Sequence, residues 1–176
     1  MNAPGHVMLR DWREEDRLAF AALNGDPQVM RHFPAVLSRA ESDAFLDRLL
    51  AHQAAQGFTF WAVEVDGVLA GLCGLLRVSF EAPFTPAVEI GWRFRPEFQG
   101  RGLATQAARL ALARGFGPLG LDRIVAFTAP ANEPSWRLME RLGMQRGGFF
   151  GHPRLAAEHP LHRHVWYALD RRDWRV

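Results

Sequence analysis

Between Gln99 and Ala104 the chain reads Gln-Gly-Arg-Gly-Leu-Ala, just after the apolar run 87–94 and the break at Pro96. The following residues, 103–116, have helical spacing. Strand, small-residue loop and helix therefore follow one another. The first N–H groups of a helix lack partners within it, and the helix dipole there favours negative charge. Phosphate oxygens supply the missing acceptors. Gly100 and Gly102 let the main chain approach an anion with no Cβ in the way, Ala104 keeps the first turn thin, and Arg101 stands to add a charge from the side. The stretch can wrap a pyrophosphate, although an ordinary strand-to-helix turn uses the same residues. Neither G-x-x-x-x-G-K-[ST] nor G-x-G-x-x-G is present at this loop, which disfavours nucleotide hydrolysis.

The chain has 176 residues, 48% of them hydrophobic, enough for one domain with a sizeable core spanning 1–176. No basic-flanked apolar leader and no long uninterrupted apolar stretch occurs, so the expectation is a cytoplasmic protein with no membrane contact. Cys73 is the only cysteine, which excludes an internal disulfide and a cysteine-based metal cluster; its apolar neighbours place it in the core. The chain contains no lysine, yet its arginines are nearly balanced by Asp and Glu, for a formal net charge of +2. Arginines and acids alternate rather than segregate, so no direct nucleic-acid contact is expected.

The element pattern begins with a strand at 7–12, a helix at 14–24 and a brief helix from Asp26-Pro27 to Met30. Ser38 and Glu41 form a capping box for a longer helix from 39 to about 56, ended by Gly57. Strands at 58–65 and 68–80 are joined by the tight turn Asp66-Gly67. Pro83 and Pro86 bracket a loop before the strand 87–94. After the glycine loop and its helix come a strand at 123–128, a helix at 135–142, and closing strands near 144–150 and 163–169. Antiparallel strands around a central strand-helix-strand unit give an α/β layered domain with a mixed sheet.

Gln99, Gly102 and Ala104 match the [Q/R]-x-x-G-x-[G/A] loop of the GNAT N-acetyltransferases, which the chain resembles. Asn132-Glu133-Pro134-Ser135 is similar to that family's N-x-x-S segment, and the following helix ends in Leu142-Gly143-Met144 as the family's does. The opening Met8-Leu9-Arg10-Asp11-Trp12 with Glu15-Asp16 resembles the RimJ/RimL-type branch. The resemblance implies a GNAT-like, mostly antiparallel sheet flanked by helices, with strands 87–94 and 123–128 splayed at an acetyl-CoA site. It implies acetyl-CoA as co-substrate, no metal, and an amine acceptor, either a protein N-terminus or a small molecule. The implied cofactor contacts are the main chain at Trp92 and Phe94, the loop Gln99, Gly100, Arg101, Gly102, Leu103 and Ala104, and Asn132 with Ser135.

Acetyl transfer from a thioester to an amine needs a neutral amine, a polarised carbonyl and a proton for the departing thiolate. Glu89, a carboxylate among Val88, Ile90 and Trp92, is the candidate general base, acting through water; the competing reading is a solvated or arginine-paired Glu. Glu64, Glu81 and Glu97 are rival carboxylates. Ser135 is the candidate acid and equally a candidate helix cap. The only tyrosine, Tyr167, lies in the last strand, so the tyrosine acid used by many family members is in question here.

Segments 30–34, 80–84 and 149–152 are candidates for the acceptor wall; their aromatic residues suit an apolar acceptor, or alternatively pack the loops onto the core. His152, His159, His162 and His164 lack a carboxylate or cysteine to complete a metal set and read as surface or stacking histidines. Direct attack in a ternary complex is preferred over a Cys73 acyl-enzyme. The alternative to an enzyme is a non-catalytic acyl-CoA-binding sensor or scaffold, and monomer and homodimer both remain open.

Overall fold

The protein's fold is given by a computed structural model describing residues 5–175. One sheet contains β1 (Val7–Arg10), β2 (Phe60–Val65), β3 (Val68–Arg77), β4 (Val88–Phe94), β5 (Arg123–Thr128), β6 (Gln145–Gly151) and β7 (Arg163–Asp170), in the spatial order β1-β2-β3-β4-β5-β7-β6. Neighbours are antiparallel except β4 and β5, which are parallel and joined through α3 (Leu103–Phe116). This is the mixed, mostly antiparallel α/β arrangement expected from the sequence.

Two apolar cores cover the sheet. Leu103, Ala107, Ala111 and Leu112 of α3 and Leu138 and Met139 of α4 (Glu133–Arg141) pack with Val63, Val88, Ile90 and Phe94. Phe20 and Leu23 of α1 (Asp16–Asn24) and Leu46 and Leu49 of α2 (Arg39–Gln56) pack with Ala62, Leu69 and Leu72. Cover on both faces explains why β3 is an almost unbroken apolar run rather than an alternating one.

Local chemistry fixes the boundaries. Ser38 Oγ accepts the Glu41 N–H at 3.2 Å while Glu41 accepts the Ser38 N–H at 2.7 Å, closing the expected capping box; Gly57, at φ 80°, ends α2. Asp66 and Gly67 both take positive φ, as the β2–β3 hairpin requires.

Several expected bounds move by one or two residues, with β1 ending at Arg10, α1 starting at Asp16 and β2 at Phe60, and three differences have a local cause. The segment after Asp26 is a series of turns, not a helix: Asp26 Oδ1 accepts the N–H groups of Gln28 and Val29 as a helix cap does and Met30 N–H reaches Asp26 O at 3.0 Å, but the next backbone bond, Phe33 N–H to Met30 O at 2.9 Å, spans three residues, so the capped turn is not propagated. β3 ends at Arg77, because Phe80 leaves the strand to join a cluster with Phe84, Phe127 and Phe150. α4 starts at Glu133 with Pro134 in its first turn, where a missing N–H costs nothing. No helix among the described residues is long and apolar enough to cross a membrane.

Candidate active site

β4 and β5 meet at one register point, Glu89 opposite Val125. The phase of the β3–β4 ladder is fixed at its ends by Arg95 N–H to Ala70 O and Val78 N–H to Ala87 O, both 2.9 Å. Alternation then turns the amides of Glu89, Gly91 and Arg93 towards β3, and those of Ile90, Trp92 and Phe94 towards β5. The bridge at Val125 uses the Ile90 N–H, and β5 pairs with no residue of β4 past it. The Phe94 carbonyl is taken by Gln99 Nε2 at 2.8 Å, whereas the N–H groups of Trp92 and Phe94 face the opening between the strands.

This opening is part of a cavity of about 940 Å³. At one end lies the glycine loop. Gly100 and Gly102 adopt φ of 69° and 75°, and a Cβ built on either meets nothing within 4 Å. Glycine is therefore required by the left-handed backbone, and the space beside it is open. The first N–H of α3 to bond back within this turn is that of Gln106, to Gly102 O at 3.2 Å; the amides of Leu103, Ala104 and Thr105 precede it. Arg101 is not on the cavity wall; its guanidinium lies 5.8 Å from the centre of the Phe98 ring.

Trp92, Phe94, Gln99, Gly100, Gly102, Leu103, Ala104, Asn132, Ser135 and Glu89 all line this one cavity. Asn132 is held by its Nδ2 donating to Thr128 Oγ1 at 3.0 Å. Asn132, not Ser135, occupies the cap position of α4, so the capping role that competed for Ser135 falls away; Ser135 is half-buried in the first turn. Tyr167 donates its hydroxyl to Glu140 at 3.0 Å and does not line the cavity.

Glu89 is the only carboxylate among the described residues lining the cavity. Its rivals are placed elsewhere: Glu64 pairs with Arg10 at 2.6 Å, Glu97 with Arg95 at 2.7 Å, and Glu81 is exposed in the loop after β3. Burial pushes the Glu89 carboxyl up to about 8, against a smaller opposite pull from Arg154. Such a group matches a general base working near neutrality. Cys73 is fully buried, and burial raises its thiol well above the ordinary range, which leaves it inert as a nucleophile.

The proposed acceptor wall divides. Arg31, His32, Phe33 and Pro34 line the cavity, as does His152. Phe80, Phe84 and Phe150 instead pack around Phe127, with Phe84 also 5.1 Å from Trp166, and so take the packing role. His152 and His164 stand with ring centres 5.0 Å apart, and burial lowers the His152 imidazole to about 4, keeping it neutral. His162 bonds the Leu155 carbonyl at 2.9 Å, while His159 Nδ1 accepts the Leu161 N–H at 3.0 Å. No group of three or more potential metal ligands occurs among the described residues.

Sequence reasoning missed Arg93. It shares a strand face with Glu89 and Gly91, a placement that period-two counting along 89, 91 and 93 makes visible. Gly91 leaves room for the Phe60 ring, whose Cζ lies 2.8 Å from the position a Cβ would take.

The strand gap beside a glycine-started helix defines the acetyltransferase class of fold. The solved structure of a GNAT-family acetyltransferase from Bacillus anthracis superposes with a TM-score of 0.77 at 26% identity, over 97% of this chain and 98% of that one. Residues 6–145 match the acetyltransferase (GNAT) domain family. The chain belongs to the GNAT acetyltransferases and is an acetyl-CoA-dependent acyltransferase. Among curated relatives, the uncharacterized N-acetyltransferase YnaD of Bacillus subtilis is 32% identical over 82% of each chain. The spermidine N(1)-acetyltransferase of Escherichia coli K12 is 31% identical over 83% of this chain and 76% of its own.

Proposed function

We propose that this protein moves an acetyl group from acetyl-CoA to a primary amine by direct attack in a ternary complex, and that it falls in the RimJ/RimL-type branch. The observation that carries the mechanism is the lone cavity carboxylate, Glu89, on the strand whose Trp92 and Phe94 amides face the gap. The pyrophosphate lies against the amides that open α3, and the pantetheine arm runs along β4 with Asn132 as a side-chain partner. Arg101, turned towards Phe98, contributes only at longer range.

Each step has a group on hand. Glu89 takes the amine proton through water, and the amine nitrogen attacks the thioester carbonyl. Main-chain N–H groups near Trp92 stabilise the oxyanion. The C–S bond then breaks, and Ser135 Oγ gives its proton to the sulfur while taking one from solvent. Glu89 returns the amine proton to solvent, which balances the one Ser135 took, so the products are the N-acetyl amine and free coenzyme A with no net exchange of protons. The opening 8–16 segment supports the branch. Within it, Arg10 ties Asp16 and Glu64 together at 2.7 and 2.6 Å and fixes α1 on the sheet.

Initial-rate patterns test direct attack. Intersecting double-reciprocal lines, retained by Cys73→Ala, are expected. Parallel lines with an acetylated protein intermediate overturn the ternary complex. Tight acetyl-CoA binding without thiol release for any amine points to the sensor reading instead.

A further inference from the structure

The acceptor side of the cavity carries more positive charge than a simple amine calls for; the inference drawn from this rests on the acetyl-transfer reading above. Arg31, Arg93 and Arg154 line the cavity, and none of them pairs with a carboxylate among the described residues. Glu89 is the only acid facing them, and its own environment favours the protonated form.

Arg93 is the built part of this wall. It donates through Nη1 to Asn24 Oδ1, and the Asn24 amide donates to Ser42 Oγ at 2.9 Å, so two helices hold the guanidinium in place. The Phe33 ring centre lies 4.3 Å from the guanidinium carbon and that of Phe45 5.7 Å away. Nε is sealed from solvent without an acceptor. A largely desolvated guanidinium with no counter-charge favours an anion that arrives with the ligand. The cofactor phosphates do not meet that need: the loop assigned to them opens α3, whereas Arg93 points to the α1–α2 face, as its Asn24 and Phe45 contacts require. Arg154, held by Ser79 at 2.5 Å, completes the wall nearer Glu89.

We infer that the acceptor is an amine that also bears an anionic group, its nitrogen at Glu89 and its anion on one of the two guanidinium groups that flank Glu89 along β4, that of Arg93 towards the Asn24 and Phe45 end or that of Arg154 towards Ser79. The same cations disfavour the ammonium form of the amine and so favour the neutral nucleophile. A polyamine brings only like charge to this wall.

The test is a set of acceptors matched except for charge, read as kcat/KM from thiol release: L-phenylalanine against 2-phenylethylamine, C-terminally amidated tripeptides with Glu or Gln in second place, and spermidine. The anionic member of at least one pair is expected to be favoured by about tenfold or more, and which pair responds separates a free amino acid from a protein N-terminus. Arg93→Met or Arg154→Gln, whichever removes the guanidinium that holds the anion, should shrink that ratio towards one with the KM for acetyl-CoA unchanged; Arg154 is exposed, so its variant is read even if Arg93→Met does not fold. Equal rates within both pairs, spermidine as the best acceptor, or a ratio untouched by both variants overturns the inference. If no acceptor releases thiol, the transfer reading fails, and acceptor binding to the coenzyme-A-loaded protein decides this one separately. Charge-selective binding lost with Arg93 or Arg154 supports it, and its absence refutes it.

Discussion

Replacing Glu89 by Gln should remove the proposed base and at the same time make the fold more stable, in a pH-dependent way. Between its ordinary value of 4.5 and the folded value near 8, the native protein holds a proton on Glu89 that the unfolded chain has released. Stability therefore falls as pH rises through that window, because the folded state binds more protons than the unfolded one. Below 4.5 both states are protonated and the penalty vanishes; above 8 it levels off. At pH 7 the full linkage amounts to about 3 kcal/mol, rising to nearly 5 kcal/mol in alkali. Glu89 keeps some contact with solvent through the cavity, so roughly 1–3 kcal/mol is the expected gain for Glu89→Gln at pH 7. In a domain of this size that raises Tm by about 2–4 °C per kcal/mol. Urea unfolding of both proteins at pH 5 and pH 8.5 reads it directly, with a gap that widens at the higher pH. A Gln variant less stable than the parent, or a gap that does not change with pH, refutes the view that Glu89 is held desolvated for chemistry.

Two further outcomes bear on the site. Gly102→Val forces a β-branched residue to φ 75° and fills the open space beside the loop, so acetyl-CoA binding measured by calorimetry should drop by about a hundredfold or more, while the fold loses roughly 1–3 kcal/mol. Wild-type affinity would remove the pyrophosphate from this loop. Ser135→Ala should lower kcat with little change in the KM for acetyl-CoA and with stability within about 0.5 kcal/mol, since Asn132 and not Ser135 sits at the cap; an unchanged kcat removes Ser135 as the proton donor.

Local rules carried much of the fold and the cofactor end of the cavity. The capping box at Ser38 and Glu41, the Asp66-Gly67 hairpin and the glycines that open α3 each depend on residues within a few positions of one another, and pattern reading reaches them. The acceptor end depends on distant partners. Arg93 meets Asn24, 69 residues away, and Phe33 across the sheet, so its setting could not be read from its neighbours. Phe84 and Phe150 looked alike as loop aromatics to Phe33; only tertiary packing around Phe127 separated them from the wall residue. The turns after Asp26 were misread as a helix because Asp26 and Pro27 form a genuine helix start, capped at Gln28 and Val29, which the backbone leaves after Met30 for a tighter turn to Phe33.

The central claim is that Glu89 accepts the amine proton during acetyl transfer. Its most direct test is the pH dependence of kcat for thiol release, wild type against Glu89→Gln, with an acceptor amine that titrates outside pH 6–9 and with acetyl-CoA affinity measured in parallel. The account predicts a wild-type rate that rises with pH through an apparent pKa near 8. It also predicts a Gln variant slower by about a hundredfold or more, with that titration gone and cofactor affinity intact. A Gln variant that turns over at the parent rate along the same profile contradicts it.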